Sequence, residues 1–330
     1  MRNPALLFAL SSVLVACGGG GGGDAPAAAP QGTAGKTAVT LSSTNYVAVA
    51  QESMSSSNYL ADASTLAVGA EVNDADVLVR FGQAQAGKLQ GRFGGTLALA
   101  TGVTTTTTEP CAGGGTLTIV DNDLNGDGKP DAGDSASLTA NNCIFEGSTL
   151  TGGLTLAVNA FSGNINTPPF TATMTLTFNN LTARSAAASS TGTGTMALSL
   201  NAPTSNTRTV SLKSTQFTTT STYGGTTYNR TLDNYTVVVD SNATSSRTTA
   251  AGTLSSSAFE SKTVTIATPV PFVRVFPQTR PSSGQATATG TNGGVVRVTA
   301  ISNTQVKIEL DANADGTYET SVTKLWSELI

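Results

Sequence analysis

Between Asn45 and Val68 the apolar residues Tyr46, Val49, Ala50, Met54, Ala61 and Val68 recur at near-helical spacing, which predicts one amphipathic helix near the N-terminus. Serines at 53 and 55–57 weaken its intrinsic propensity. Beyond Asp74 the pattern changes to period two. Val77, Val79 and Phe81 alternate with other residues, as do Leu154, Leu156 and Val158, and Met174, Leu176 and Phe178. Met196, Leu198 and Leu200, Val237 and Val239, Val264 and Ile266, Val296, Val298 and Ala300, and Val306, Ile308 and Leu310 continue the series. Successive strand side chains point to opposite faces, so each run reads as a strand with one buried face. The expected fold is mainly β: an antiparallel β-meander, as a sandwich or an open half-barrel, preceded by one N-terminal helix. Pro269, Pro271, Pro277 and Pro281 interrupt the ladder. A domain break there would leave a piece of about fifty residues, marginal on its own, so 38–330 reads as a single β-rich domain with a Pro-rich crossing at 269–283.

The polar positions of these runs explain the composition. The 330 residues include 55 threonines and 33 serines, while only 12% are charged, about half the usual share. Threonine is a strong strand former that supplies a polar face without charge. The chain contains no histidine, which excludes Ser-His-Asp and Cys-His catalysis and the HExxH zinc site. A net charge of −4 with dispersed Lys and Arg gives no stripe for nucleic acid. Ser321-Val-Thr-Lys324 fits a Ser-x-x-Lys pattern, but it falls in a predicted strand rather than at the start of a helix.

At the N-terminus, Arg2 precedes an apolar stretch through Leu6, Leu7, Phe8, Leu10 and Val13 that ends in Leu14-Val15-Ala16-Cys17. The stretch is shorter than the about 20 residues that span a bilayer. It resembles the lipobox of bacterial lipoproteins, which implies a signal peptide at 1–16 and a lipid-modified Cys17. Gly at position 18 rather than Asp implies, within that resemblance, the outer membrane. The glycines at 18–23 and the Ala/Pro/Gly-rich residues up to 37 read as a flexible tether, 17–37.

One segment concentrates the scarce charge: five of the 21 acidic residues lie between 121 and 134. Counted from Asp123, the side chains of Asp123, Asn125, Asp127, Asp131 and Asp134 take positions 1, 3, 5, 9 and 12 of a twelve-residue loop. Gly128 takes position 6, and the Lys129 carbonyl position 7. This is the hard-oxygen spacing that suits calcium. The stretch resembles the calcium loops of dockerin modules and EF-hand-like repeats, although the flanking segments read as strands rather than helices. A shorter copy runs from Asp311 to Glu319, with Asp311, Asn313, Asp315, Thr317 and Glu319 at positions 1, 3, 5, 7 and 9 but Val322 at position 12. It reads either as a second metal site or as an Asp-Gly turn.

Cys111 and Cys143 bracket the first loop as cross-strand partners would. In an exported chain whose Cys17 carries lipid, this remaining pair implies a disulfide. Trp326 and Tyr318 read as closure of the core. Taken together, the lipobox, tether, lone helix and Cys-bracketed acidic hairpin resemble uncharacterised bacterial secreted lipoproteins, a group that implies no activity. The expected function is a membrane-anchored envelope lipoprotein, a calcium-stabilised β scaffold with a binding, adhesive or structural role toward an envelope or surface ligand. A carrier of lipid in a β half-barrel is the alternative. A carboxylate glycosidase using acids such as Glu71, Glu146 or Glu260 is a remote one.

Overall fold

The computed structural model describes residues 35–65, 74–93 and 102–329. Lipobox, Cys17, Val68, Glu71 and most of the tether lie outside the described residues. The period-two runs form one antiparallel sheet of fourteen strands: β1 (Val103–Pro110), β2 (Thr116–Asp123), β3 (Ser135–Phe145), β4 (Ser148–Asn164), β5 (Thr167–Arg184), β6 (Ala188–Thr204) and β7 (Thr207–Tyr223), followed by β8 (Thr226–Ser241), β9 (Ser245–Ser256), β10 (Thr263–Val275), β11 (Ser283–Thr289), β12 (Val295–Ala300), β13 (Gln305–Asp311) and β14 (Thr320–Leu325). Spatial order equals sequence order, so among the described residues the sheet is a pure meander with β1 and β14 at its edges. It is a single open sheet, not a sandwich.

Among the described residues four α-helices accompany it: α1 (Tyr46–Thr65), α2 (Asp74–Ala86), α3 (Leu89–Phe93) and a terminal turn α4 (Trp326–Leu329). α1 carries the expected stripe, with Tyr46, Val49, Ala50, Met54 and Ala61 all buried. Its serines are tolerated because Ser53 and Ser57 donate their hydroxyls to the carbonyls of Val49 and Ser53, 2.7 and 2.9 Å away. The strand expected at Val77, Val79 and Phe81 is instead part of α2. This helix lies between α1 and strands β4–β7. Val77, Leu78, Val79 and Phe81 are therefore all buried, and a helix covered on two sides shows no clean apolar stripe.

The sheet is rolled around these helices. α1 touches β7, β8, β9, β11, β12 and β13. The ring of Phe272 in β10 also meets that of Trp326, just beyond β14, at 6.1 Å, although four strand spacings on a flat sheet would be about 19 Å. The apolar face is thus filled by the chain's own helices, and the outer face carries threonine and serine, paired across strands as in Thr182–Thr191 and Thr222–Thr227.

The bend has a local cause. Register irregularities occur in β3 between Ala140 and Cys143, in β5 between Phe178 and Leu181, in β7 at Thr215, which lies between the partners of Met196 and Thr195, and in β8 between Asp233 and Thr236. They lie side by side, because Ala140 pairs with Gly152, Gly153 with Asn179, Phe178 with Gly194, Thr195 with Gln216, Gln216 with Asp233, and Asp233 with Thr253. A crease therefore crosses the sheet from β3 to β9. Asn142, Asn180 and Asn234 mark it with left-handed backbone, φ 51°, 51° and 45°, a conformation that asparagine enters more easily than most residues. Gly152 faces Asn180 so closely that a Cβ would lie 2.4 Å from its carbonyl oxygen. Extra residues at bulges bend strands and increase their twist. They also reset which side chains face inward: β5 buries Met174, Leu176 and Phe178 before the crease and Leu181 and Ala183 after it.

Pro269 and Pro271 lie within β10, where the register shifts against both neighbours, and the chain turns between Val275 and Ser283. Thr37–Val39 is bonded to the start of β10, with the Val39 amide donating to the Thr263 carbonyl at 2.9 Å. α1 is fastened to β8 and β9 by a buried polar clamp. Arg230 meets Glu52 with two nitrogens at 2.7 and 2.9 Å, and the Ser256 hydroxyl donates to the same carboxylate at 2.8 Å. Burial alone would raise the Glu52 carboxyl, but the hydrogen bonds and charge of Arg230, with Ser256, hold it below its ordinary value.

Candidate metal centres

The acidic loop joins β2 to β3, as the flanking strand patterns predict. It is held by its own side chains. Asp123 accepts the amides of Gly126 and Gly128 at 2.7 and 2.8 Å, and Asp134 those of Leu124 and Asp131 at 2.9 and 2.7 Å. Asn125 accepts from the Asp127 amide and Asp127 from the Lys129 amide. Asp123 and Asp134 are buried, while Asn125, Asp127 and Lys129 are exposed and Asp131 is half-buried. The loop is tied to β4 through the Gly133 amide and Val158 carbonyl, and through the Val158 amide and Asp134 carbonyl. Its buried carboxylates are thus turned to backbone donors, and no three of its four acids bring oxygens within 4.8 Å of one another.

Asp121, two residues upstream, also points to the buried face. Burial raises its carboxyl above the ordinary range; the charge of Arg92 opposes this and that of Glu109 adds to it. Its place in the strand alternation was readable in the sequence. The basic residue facing it on α3 was not.

The shorter motif connects β13 to β14 and adopts the same internal pattern. Asp311 accepts from the Gly316 amide at 2.9 Å, Asn313 from Asp315 at 3.1 Å, and Asp315 from Thr317 at 2.7 Å. In position numbers these are 1 from 6, 3 from 5 and 5 from 7, as in the first loop. The hydrogen bond from the Thr317 amide, with that from the Asn313 side chain, holds the Asp315 carboxyl below its ordinary value. Here the acids do converge: one oxygen from each of Asp311, Asp315 and Glu319 lies within 4.8 Å of the other two. Asn313 and Thr317 sit on the exposed rim. Val322, at position 12, packs against the core instead of supplying a ligand.

Cys111 and Cys143 form the disulfide, with Cα atoms 5.4 Å apart. Cys111 sits in the turn after β1, so the bridge reaches past β2 to β3 instead of joining the two strands of one hairpin. Trp326 is buried and donates its indole N–H to the Ser302 carbonyl at 3.0 Å. Tyr318 does not join the core: it is half-buried, with the Arg297 guanidinium 3.7 Å above its ring. Of the acids named for glycosidase chemistry, Glu146 pairs with Arg80 at 2.8 Å and Glu260 with Lys262 at 2.6 Å.

Comparison with protein-family models, with curated proteins and with solved structures finds no match.

Proposed function

We propose that this chain is a lipid-anchored β scaffold of the bacterial cell envelope, without catalytic activity, that binds or supports a surface ligand and uses calcium to stiffen the β2–β3 hairpin. The observation that carries the reading is the occupation of the sheet's apolar face by α1 and α2, which leaves a hydroxyl-covered outer face as the surface offered to partners. A lipid carrier is the second reading; a carried molecule would have to displace the helices from the apolar face. Anchoring rests on the Leu14-Val15-Ala16-Cys17 lipobox, and calcium on the donor types and spacing of Asp123, Asn125, Asp127, Lys129, Asp131 and Asp134.

Membrane fractionation tests the anchor. Cys17→Ala is expected to release the protein from the membrane fraction and abolish acyl labelling; retention with labelling would overturn it. Calcium at about 100 times its dissociation constant adds about 2.7 kcal/mol, so the melting temperature should rise. Asp127→Ala should reduce that rise, and an identical rise in the variant would remove calcium from this hairpin.

A further inference from the structure

The β13–β14 hairpin carries a second acidic motif, and one of its ligand candidates is in an unfavourable position. Asp311 is only 4% exposed. Its Oδ2 accepts the Gly316 amide, whereas its Oδ1 is buried with no hydrogen-bond partner. A buried carboxylate oxygen left unmatched costs more than an ordinary missing hydrogen bond, because its hydration is lost and nothing replaces it. Asp315 and Glu319 bring two further carboxylates to the same point. Among the described residues no Lys or Arg is paired with any of the three, and Arg297 and Lys307 are committed to Glu309 at 2.7 Å. Three formal negative charges and an unmatched oxygen call for a cation.

We infer that Asp311, Asp315 and Glu319 form a divalent-cation site that binds calcium, independent of the β2–β3 loop. Two oxygens held by one ion at calcium's distance of about 2.4 Å can be at most about 4.8 Å apart, the limit within which these oxygens lie. An all-oxygen donor set on an exposed loop suits calcium better than magnesium, which demands a tighter octahedron. With Val322 turned into the core, water completes the shell. The ion joins the last residue of β13 to Glu319, just before β14, whose amide already donates to the Leu310 carbonyl at 2.9 Å. It therefore fastens β14, the last strand in the order, to β13.

Tyr318 supplies a specific probe, since the loop 123–134 contains no tyrosine or tryptophan. The full chain is stripped with EDTA and titrated with terbium while tyrosine is excited. Sensitised emission should appear, saturate and be displaced by calcium. It should be lost in Asp315→Asn, in Glu319→Gln and in Tyr318→Phe, and be unchanged in Asp127→Ala. Asp315→Asn alters an exposed side chain, so a folding defect in an Asp311 variant does not blunt the test. Emission that is absent from the native chain, or that persists in both Asp315→Asn and Glu319→Gln, would overturn the site. Loss in Asp127→Ala alone would overturn it too, while supporting an ion in the first loop.

Discussion

Replacing Glu52 by Gln tests how α1 is held in the rolled sheet. The native carboxylate takes two nitrogens of Arg230 and the hydroxyl of Ser256, and both charged side chains are largely buried, 10% and 18% exposed. The amide keeps the volume but removes the negative charge that the guanidinium meets in a desolvated place. Breaking a buried pair from one side costs about 3–5 kcal/mol. At about 2 °C per kcal/mol for a chain of this size, the melting temperature should fall by about 6–10 °C. Replacing both partners by methionine should recover much of the loss, because a packed apolar pair often matches a buried ion pair in stability. Urea unfolding of the two single variants and the double variant gives the coupling energy directly. The pH dependence has a definite sign. A carboxyl held below its ordinary 4.5 contributes stability that is present above that value and is lost as pH falls through the lower, folded value. The native protein should therefore lose stability on the acid side of 4.5, and Glu52→Gln should flatten that limb. A loss under about 1 kcal/mol, the range of exposed pairs, or additive single effects would refute the clamp.

Removing the disulfide by Cys111→Ser with Cys143→Ser opens a loop with a sequence separation of 32. The chain-entropy account gives a loss of about 3.7 kcal/mol as an upper value; unchanged urea midpoints with and without reductant would contradict it. Gly152→Ala forces a Cβ to 2.4 Å from the Asn180 carbonyl oxygen at a backbone φ of +102°, and should cost more than about 2 kcal/mol. Full stability by thermal unfolding would mean that the crease yields there.

The meander was legible because most strands contain a stretch of strict alternation, as in Met174-Thr-Leu176-Thr-Phe178. The disulfide was legible from its even pair of cysteines, although not its reach past β2. The crease was not, because a one-residue bulge resets the alternation without changing composition. Asn179-Asn180 and Gly152 are its local trace, and they read equally well as turn residues. α2 was misread because three alternating residues sit in a run of wholly buried ones, and Leu78 between them is as buried as Val77 and Val79. Both acidic loops were visible as spacing. The convergence of Asp311, Asp315 and Glu319 was not, since it depends on how the β13–β14 turn folds back.

Because each strand bonds only to those before and after it in sequence, the sheet can be built in the order in which the chain is delivered. No strand has to wait for a partner made much later, and the closure cost of each new hairpin is that of a short turn. Outside this order lie Thr37–Val39, α1 and α2, which precede the strands and stay uncovered until the strands they pack against arrive. The time between their emergence and that of β8 and β9, which bring Arg230 and Ser256 to Glu52, is when the chain is most exposed to misfolding.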